Sequence, residues 1–193
     1  MADPHAVALK LARVGDGEAA LVLDALRDVP CPFVWTVSFS VWQASPTLAV
    51  DAGCEDGGLR NALAGWSDRA DTAVAVELTH LAASPPPTLV AGLRAILDAV
   101  GTDTGQGVFL DAEGWWVELA GSAWFATVHA DAYPSEHSRH WPRPGALVVL
   151  VPKCTFDTTF PHGIPESTRR AIRTAFGRHG RRYPGGGGAV ATT

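Results

Sequence analysis

The run Ala146-Leu147-Val148-Val149-Leu150-Val151 constrains this chain more than any other segment. An extended strand that is apolar on both faces needs cover on both sides, and a central place in a layered sheet provides it. The run is far too short to span a bilayer. The apolar stretch at the N-terminus is broken by Lys10 and Arg13, so no secretory leader is expected. With 193 residues the chain suits one domain, and a second would be cramped. Hydrophobic residues make up 47% and charged residues 18%, enough to bury a core and to exclude intrinsic disorder.

The remaining pattern predicts an α+β fold in a single domain, a mainly antiparallel sheet with helices packed on one side or at its ends. Residues 6–27 read as helical with a break at Gly15-Asp16-Gly17, and Pro30-Cys31-Pro32 stops the run. From Phe33 to Trp42 the chain alternates, with Phe33, Trp35, Val37, Phe39 and Val41 on one face and Thr36, Ser38 and Ser40 on the other. Leu59 to Trp66 predicts a short helix and Thr72 to Leu78 a strand. Pro85-Pro86-Pro87 precedes a helix carrying Leu89, Leu93, Ile96, Leu97 and Val100, ended by Gly101. Trp115–Leu119 and Trp124–His129, separated by Ala120-Gly121-Ser122-Ala123, predict a hairpin. Pro165 opens a last helix, and residues 184–193 read as a disordered Gly-rich tail behind a domain of residues 1–183.

The net charge of −5 argues against a dedicated nucleic-acid binder. The charge is uneven, however. Residues 1–160 carry 9 Lys/Arg against 19 Asp/Glu, whereas residues 161–193 carry 6 Arg against Glu166 alone. Such a basic end is ordinarily a solvated helix face, but it suits an anion such as a carboxylate or propionate. The three cysteines, Cys31, Cys54 and Cys154, form no CxxC pair, which argues against structural zinc and for reduced thiols in a cytoplasmic protein.

Chemistry concentrates between two strands, in His129-Ala130-Asp131-Ala132-Tyr133-Pro134-Ser135-Glu136-His137-Ser138-Arg139-His140-Trp141. A lone histidine is ordinarily a hydrogen-bonding group of surface or core. Three in one loop beside two carboxylates, a tyrosine and an arginine point towards metal or cofactor binding, because neutral imidazole is the commonest side-chain metal ligand. A non-heme metal site from His129, Glu136, His137 and His140 is one candidate, although the spacing is not His-Glu-x-x-His. Cys31 precedes a proline, a pairing able to supply a heme thiolate and more often a buried turn cysteine. No Walker loop, dinucleotide fingerprint or Gly-x-Ser-x-Gly elbow occurs.

The order of these pieces resembles the YqcI/YcgG family over roughly residues 29–183. Pro30-Cys31-Pro32-Phe33 leads into a strand. Trp124-Phe125-Ala126-Thr127-Val128-His129 stands where that family has a Phe-Phe-Val-Val-Gly-Leu-His-Pro strand end. Ser138-Arg139-His140-Trp141-Pro142 stands where it has a Ser-Arg-x-Phe-Pro step. The apolar strand and Cys154-Thr155-Phe156-Asp157 follow in place of its helix starting near a Phe-Glu pair. His129 is followed by Ala130 rather than proline, and the stretch from His129 to Trp141 is longer than usual.

Proteins similar to this family are heme enzymes that N-hydroxylate guanidine groups of arginine or arginine-derived metabolites. The resemblance implies a heme b cofactor with His129 as iron ligand. Arg139 matches the Arg of the Ser-Arg step and would pair with a propionate. His137, His140, Cys31 and Trp141 are further cofactor-binding candidates. Glu118, Asp131 and Glu136 are the acidic candidates for handling a guanidinium substrate. The partner expected is a small arginine-like metabolite, with neither nucleic acid nor membrane, and a homodimer stays open. Three functions compete: an oxygenase acting on a nitrogen centre, a heme carrier or sensor without turnover, and a non-heme metal-binding domain.

Overall fold

The computed structural model describes residues 8–29, 37–47, 57–85, 88–89, 96, 110–111 and 114–182. Among the described residues seven strands build one sheet: β1 (Ala8–Arg13), β2 (Ser38–Thr47), β3 (Thr72–Leu78), β4 (Leu110–Asp111), β5 (Gly114–Leu119), β6 (Ser122–Ala130) and β7 (Ala146–Pro152). Their order across the sheet is β1-β2-β3-β7-β6-β5-β4. Only the β2–β3 pair is parallel; every other neighbouring pair is antiparallel. Four helices can be followed among the described residues: α1 (Asp16–Arg27), α2 (Gly57–Trp66), α3 (Lys153–Thr159) and α4 (Glu166–Arg178). The α+β class expected from the sequence is therefore the one found. No helix among the described residues is long and apolar enough to cross a membrane.

The apolar run lies where its two-sided hydrophobicity requires. β7 is the middle strand, buried along its whole length. Its even positions Val148 and Leu150 join Val74, Val76 and Trp124 on one face, under Leu59 and Leu63 of α2 and under Ile96. Its odd positions Leu147, Val149 and Val151 join Ala73, Ala75 and Trp141 on the other, under Val22 and Leu26 of α1. Helices thus cover both faces rather than one. β3 is buried throughout as well and spans the residues expected.

Two expectations change. Ala8–Arg13 is not helical but an edge strand, paired antiparallel with β2 from Ala8↔Thr47 to Arg13↔Trp42. Six residues cut off by the Gly15-Asp16-Gly17 break cannot sustain a helix of their own, whereas the open edge of β2 supplies their backbone partners. The aromatic strand continues past Trp42 to Thr47, and on its small polar face Ser38 is exposed while Ser40 is not. Ser40 is buried and accepts a hydrogen bond from Trp42 Nε1 at 3.1 Å. The helix expected after Pro85-Pro86-Pro87, the turn carrying Cys31, the stretch Phe33–Thr36 and the tail from residue 184 lie outside the described residues, apart from residues 85, 88, 89 and 96.

The β5–β6 hairpin closes through Ala120 and Gly121, both in the left-handed region at φ +49° and +76°, between the paired Leu119 and Ser122. Positive φ at both central residues matches a two-residue turn to the right-handed twist of its strands. Opposite this turn, Phe156 of α3 packs edge-on against Trp116 and Phe125, ring centroids 5.4 and 5.3 Å apart.

Candidate functional site at the end of strands β3 and β6

β3 and β6 both run antiparallel to β7, so their last residues meet at its start: Leu78 and Ala130 both pair with Ala146. The polar loop 131–145 springs from this point and returns to it. Two devices close it. Asp131 N donates to Gly145 O at 3.0 Å, and the Asp131 carboxylate accepts from Gly145 N at 2.9 Å and from Ala83 N at 3.0 Å. Gly145 holds φ +97°, and a Cβ there would lie 2.3 Å from Leu78 O. Only glycine allows the loop to re-enter the sheet so close to the end of β3.

His129 is the penultimate residue of β6, paired with Leu147. As the alternation predicts, it points to the face covered by α1. The residue is half-buried, but its Nδ1 is fully buried and has no hydrogen-bond partner among the described residues. Its pKa is pushed down to about 3, first by burial and then by the charges of Arg139, Arg181 and His137. The imidazole is therefore neutral at any physiological pH, and its lone pair stays available to a metal.

The other two histidines are fixed in opposite senses. His137 stacks on Tyr133 with ring centroids 4.5 Å apart, and its Nδ1 accepts the Arg139 N–H at 3.1 Å. Burial, then the Arg139 charge, lowers its pKa. His140 Nδ1 donates to the Tyr133 carbonyl at 2.8 Å, because a carbonyl can only accept. In neutral His140 that bond leaves the lone pair on Nε2, the arrangement by which second-shell partners prepare a histidine ligand. Arg139 is half-buried, and its carbonyl accepts the Ala130 N–H at 3.0 Å. Trp141 is entirely buried in the face under α1, and its Nε1 has no partner among the described residues.

The three acidic candidates are not assembled around His129. Glu118 is exposed near the hairpin turn, paired with Ala123, which lies about 20 Å along β6 from His129 at the rise of a strand. Asp131 is committed to the loop closure described above. Glu136 is exposed; hydrogen bonds from its own backbone N–H and from Ser135 Oγ hold its carboxyl below the usual range. Among the described residues no three His, Cys, Asp or Glu side chains are arranged to hold a metal ion. The set His129, Glu136, His137 and His140 is thus not a preformed non-heme centre, because Glu136 faces solvent and the two loop rings are turned to backbone partners. Cys31 lies outside the described residues.

One group escaped the sequence reading, and a second was read there without its place in the fold. Glu77, the lone carboxylate of β3, is 1% exposed and pairs in register with Leu147, the same residue that faces His129. It accepts from Arg143 Nε at 2.8 Å, and Arg143 also reaches Glu18 in the first turn of α1. A single carboxylate in an otherwise apolar strand was the available signal for it. The second group is the chain end. Arg182 N donates to Glu136 O at 2.5 Å, Ser138 N donates to Arg182 O at 3.1 Å, and Arg181 donates to His140 O at 3.3 Å. Of the basic end read as a candidate anion partner, residues 181 and 182 are thereby stitched to the histidine loop.

No family model, no curated protein and no solved structure matches the chain.

Proposed function

We propose that this chain is a heme-dependent oxygenase that N-hydroxylates a guanidine or amine group of a small, arginine-like metabolite, with His129 as the axial ligand of heme b. One observation carries the reading: a strand-borne imidazole, neutral at physiological pH, whose Nδ1 is buried with no hydrogen-bond partner among the described residues. An orphaned buried nitrogen costs stability unless something satisfies it, and a rigid strand position suits an axial ligand. The resemblance to the YqcI/YcgG family puts the same residue at the strand-end histidine.

The residues present fit the cofactor. His129 would bind the iron, Arg139 would meet a propionate, and Trp141 and Leu147 would exclude water from the buried side. When bound, heme supplies the activation of oxygen or peroxide. The chain's own part is to hold His129 neutral and oriented, and to keep the cationic side of the loop towards carboxylates. A reduced thiol at Cys154 and a cytoplasmic location belong to the same reading.

A heme carrier or sensor without turnover is the second reading. It is favoured by the dispersal of Glu118, Asp131 and Glu136, which leaves no free carboxylate among the described residues at His129 to handle a substrate proton. Reconstitution with hemin followed by product analysis over a panel of guanidines and amines, with reductant or peroxide, separates the two. The oxygenase gives a Soret band and hydroxylated product; the carrier gives the band alone. A protein that shows no Soret band after hemin addition overturns both.

A further inference from the structure

Arg181 differs from the other paired arginines of the fold. Arg27, Arg69, Arg143 and Arg173 each lie against a carboxylate. Arg181 is half-buried, and among the described residues it forms no ion pair. One of its five N–H donors goes to the His140 carbonyl. Its backbone is fixed from both sides: Arg181 N donates to Phe176 O at 2.9 Å at the end of α4, and Arg182 bridges to His137. The guanidinium is therefore held in place rather than waving from a tail. Burial lowers its pKa, the Asp28 charge acts in the opposite sense, and its own field reaches His129. A half-buried cation with one carbonyl bonded and the Asp28 charge acting on it without an ion pair keeps most of its donors unused, and such a planar fork is suited to a carboxylate.

We infer that Arg181 is a carboxylate-binding residue of the His129 site, pairing with a propionate of the porphyrin. This rests on the heme reading above and extends it to the chain end, which the sequence places about 50 residues after His129. The segment of residues 181–182 is then part of the cofactor site and not an appendage of α4. Of the basic end, only residues 181 and 182 lie against the loop, whereas Arg169, Arg170 and Arg178 stay exposed on α4.

The test uses the full chain titrated with hemin and with hemin dimethyl ester, whose carboxylates are blocked, followed at the Soret band. Arg181→Gln should weaken hemin binding about tenfold or more, the size of a lost charge-assisted pair, and leave the dimethyl ester within about twofold of wild type. Arg181→Lys should restore part of the hemin affinity. The ester serves as the folding control, since a variant with a damaged site loses both ligands equally. Equal losses for the two porphyrins, or no loss for hemin, overturn this inference while leaving the heme reading intact. A wild-type chain that binds neither porphyrin overturns the heme reading and this inference with it.

Discussion

Glu77 is the one buried carboxylate among the described residues. A carboxylate 1% exposed in the middle of a sheet is tolerable only because Arg143 reaches it. Arg143→Ala should cost about 3 kcal/mol, the usual penalty for stranding a buried charge, read as a drop in the urea midpoint. The double variant Arg143→Met with Glu77→Leu should recover most of that loss, because it removes the charge and not merely its partner. A single variant as stable as wild type would mean that Glu77 is solvated. Gly145→Ala is a second test at this scale. Its Cβ would meet Leu78 O at 2.3 Å from a φ of +97°, so strain of about 2 kcal/mol or more is expected in a thermal melt. Neither Arg143 nor Arg181 could be matched to its partner from the sequence, since both act across more than 40 positions. His129 was legible, because strand alternation alone decides which face a side chain takes.

At the level of elements, local pattern was sufficient wherever the pattern itself specifies burial. β7 and β3 have no polar face to offer water, and alternating arms mark the β5–β6 hairpin, although Ser122 and Ala123, read as part of its turn, belong to β6. β1 was illegible for the opposite reason: its strand state comes from the open edge of β2, which no local window contains. The hairpin turn offers a direct check. Ala120 sits at φ +49°, where alanine pays for its Cβ and asparagine is at home. Ala120→Asn keeps the Cβ and should gain about 0.5–1 kcal/mol, raising Tm by roughly 1–4 °C for a chain of this size. An unchanged or lower Tm would mean that the turn is not of this type.

For the whole molecule, the buried histidine makes stability depend on acid. His129 has a pKa near the ordinary 6.5 when unfolded and about 3 when folded, so between these values the unfolded chain binds a proton that the native chain does not. Stability of the heme-free protein should therefore fall as pH drops from about 6.5 towards 3, by up to ~1.4 kcal/mol per pH unit for this one proton. His137 and His80 are depressed by burial in the same direction and add to the slope. Urea midpoints at stepped pH values check this, and His129→Gln should flatten the curve. A wild-type midpoint that does not move between pH 7 and 4 would contradict a neutral buried imidazole.

The fold as a whole places one neutral nitrogen at the meeting point of β3, β6 and β7, and a hemin titration of wild type beside His129→Ala tests that placement most directly. Wild type should develop a Soret band that saturates at one equivalent of hemin. His129→Ala should lose or shift the band and regain part of it with added imidazole, while Cys31→Ser and His140→Ala keep it. A native spectrum in His129→Ala, together with its loss in Cys31→Ser or His137→Ala, would contradict the account.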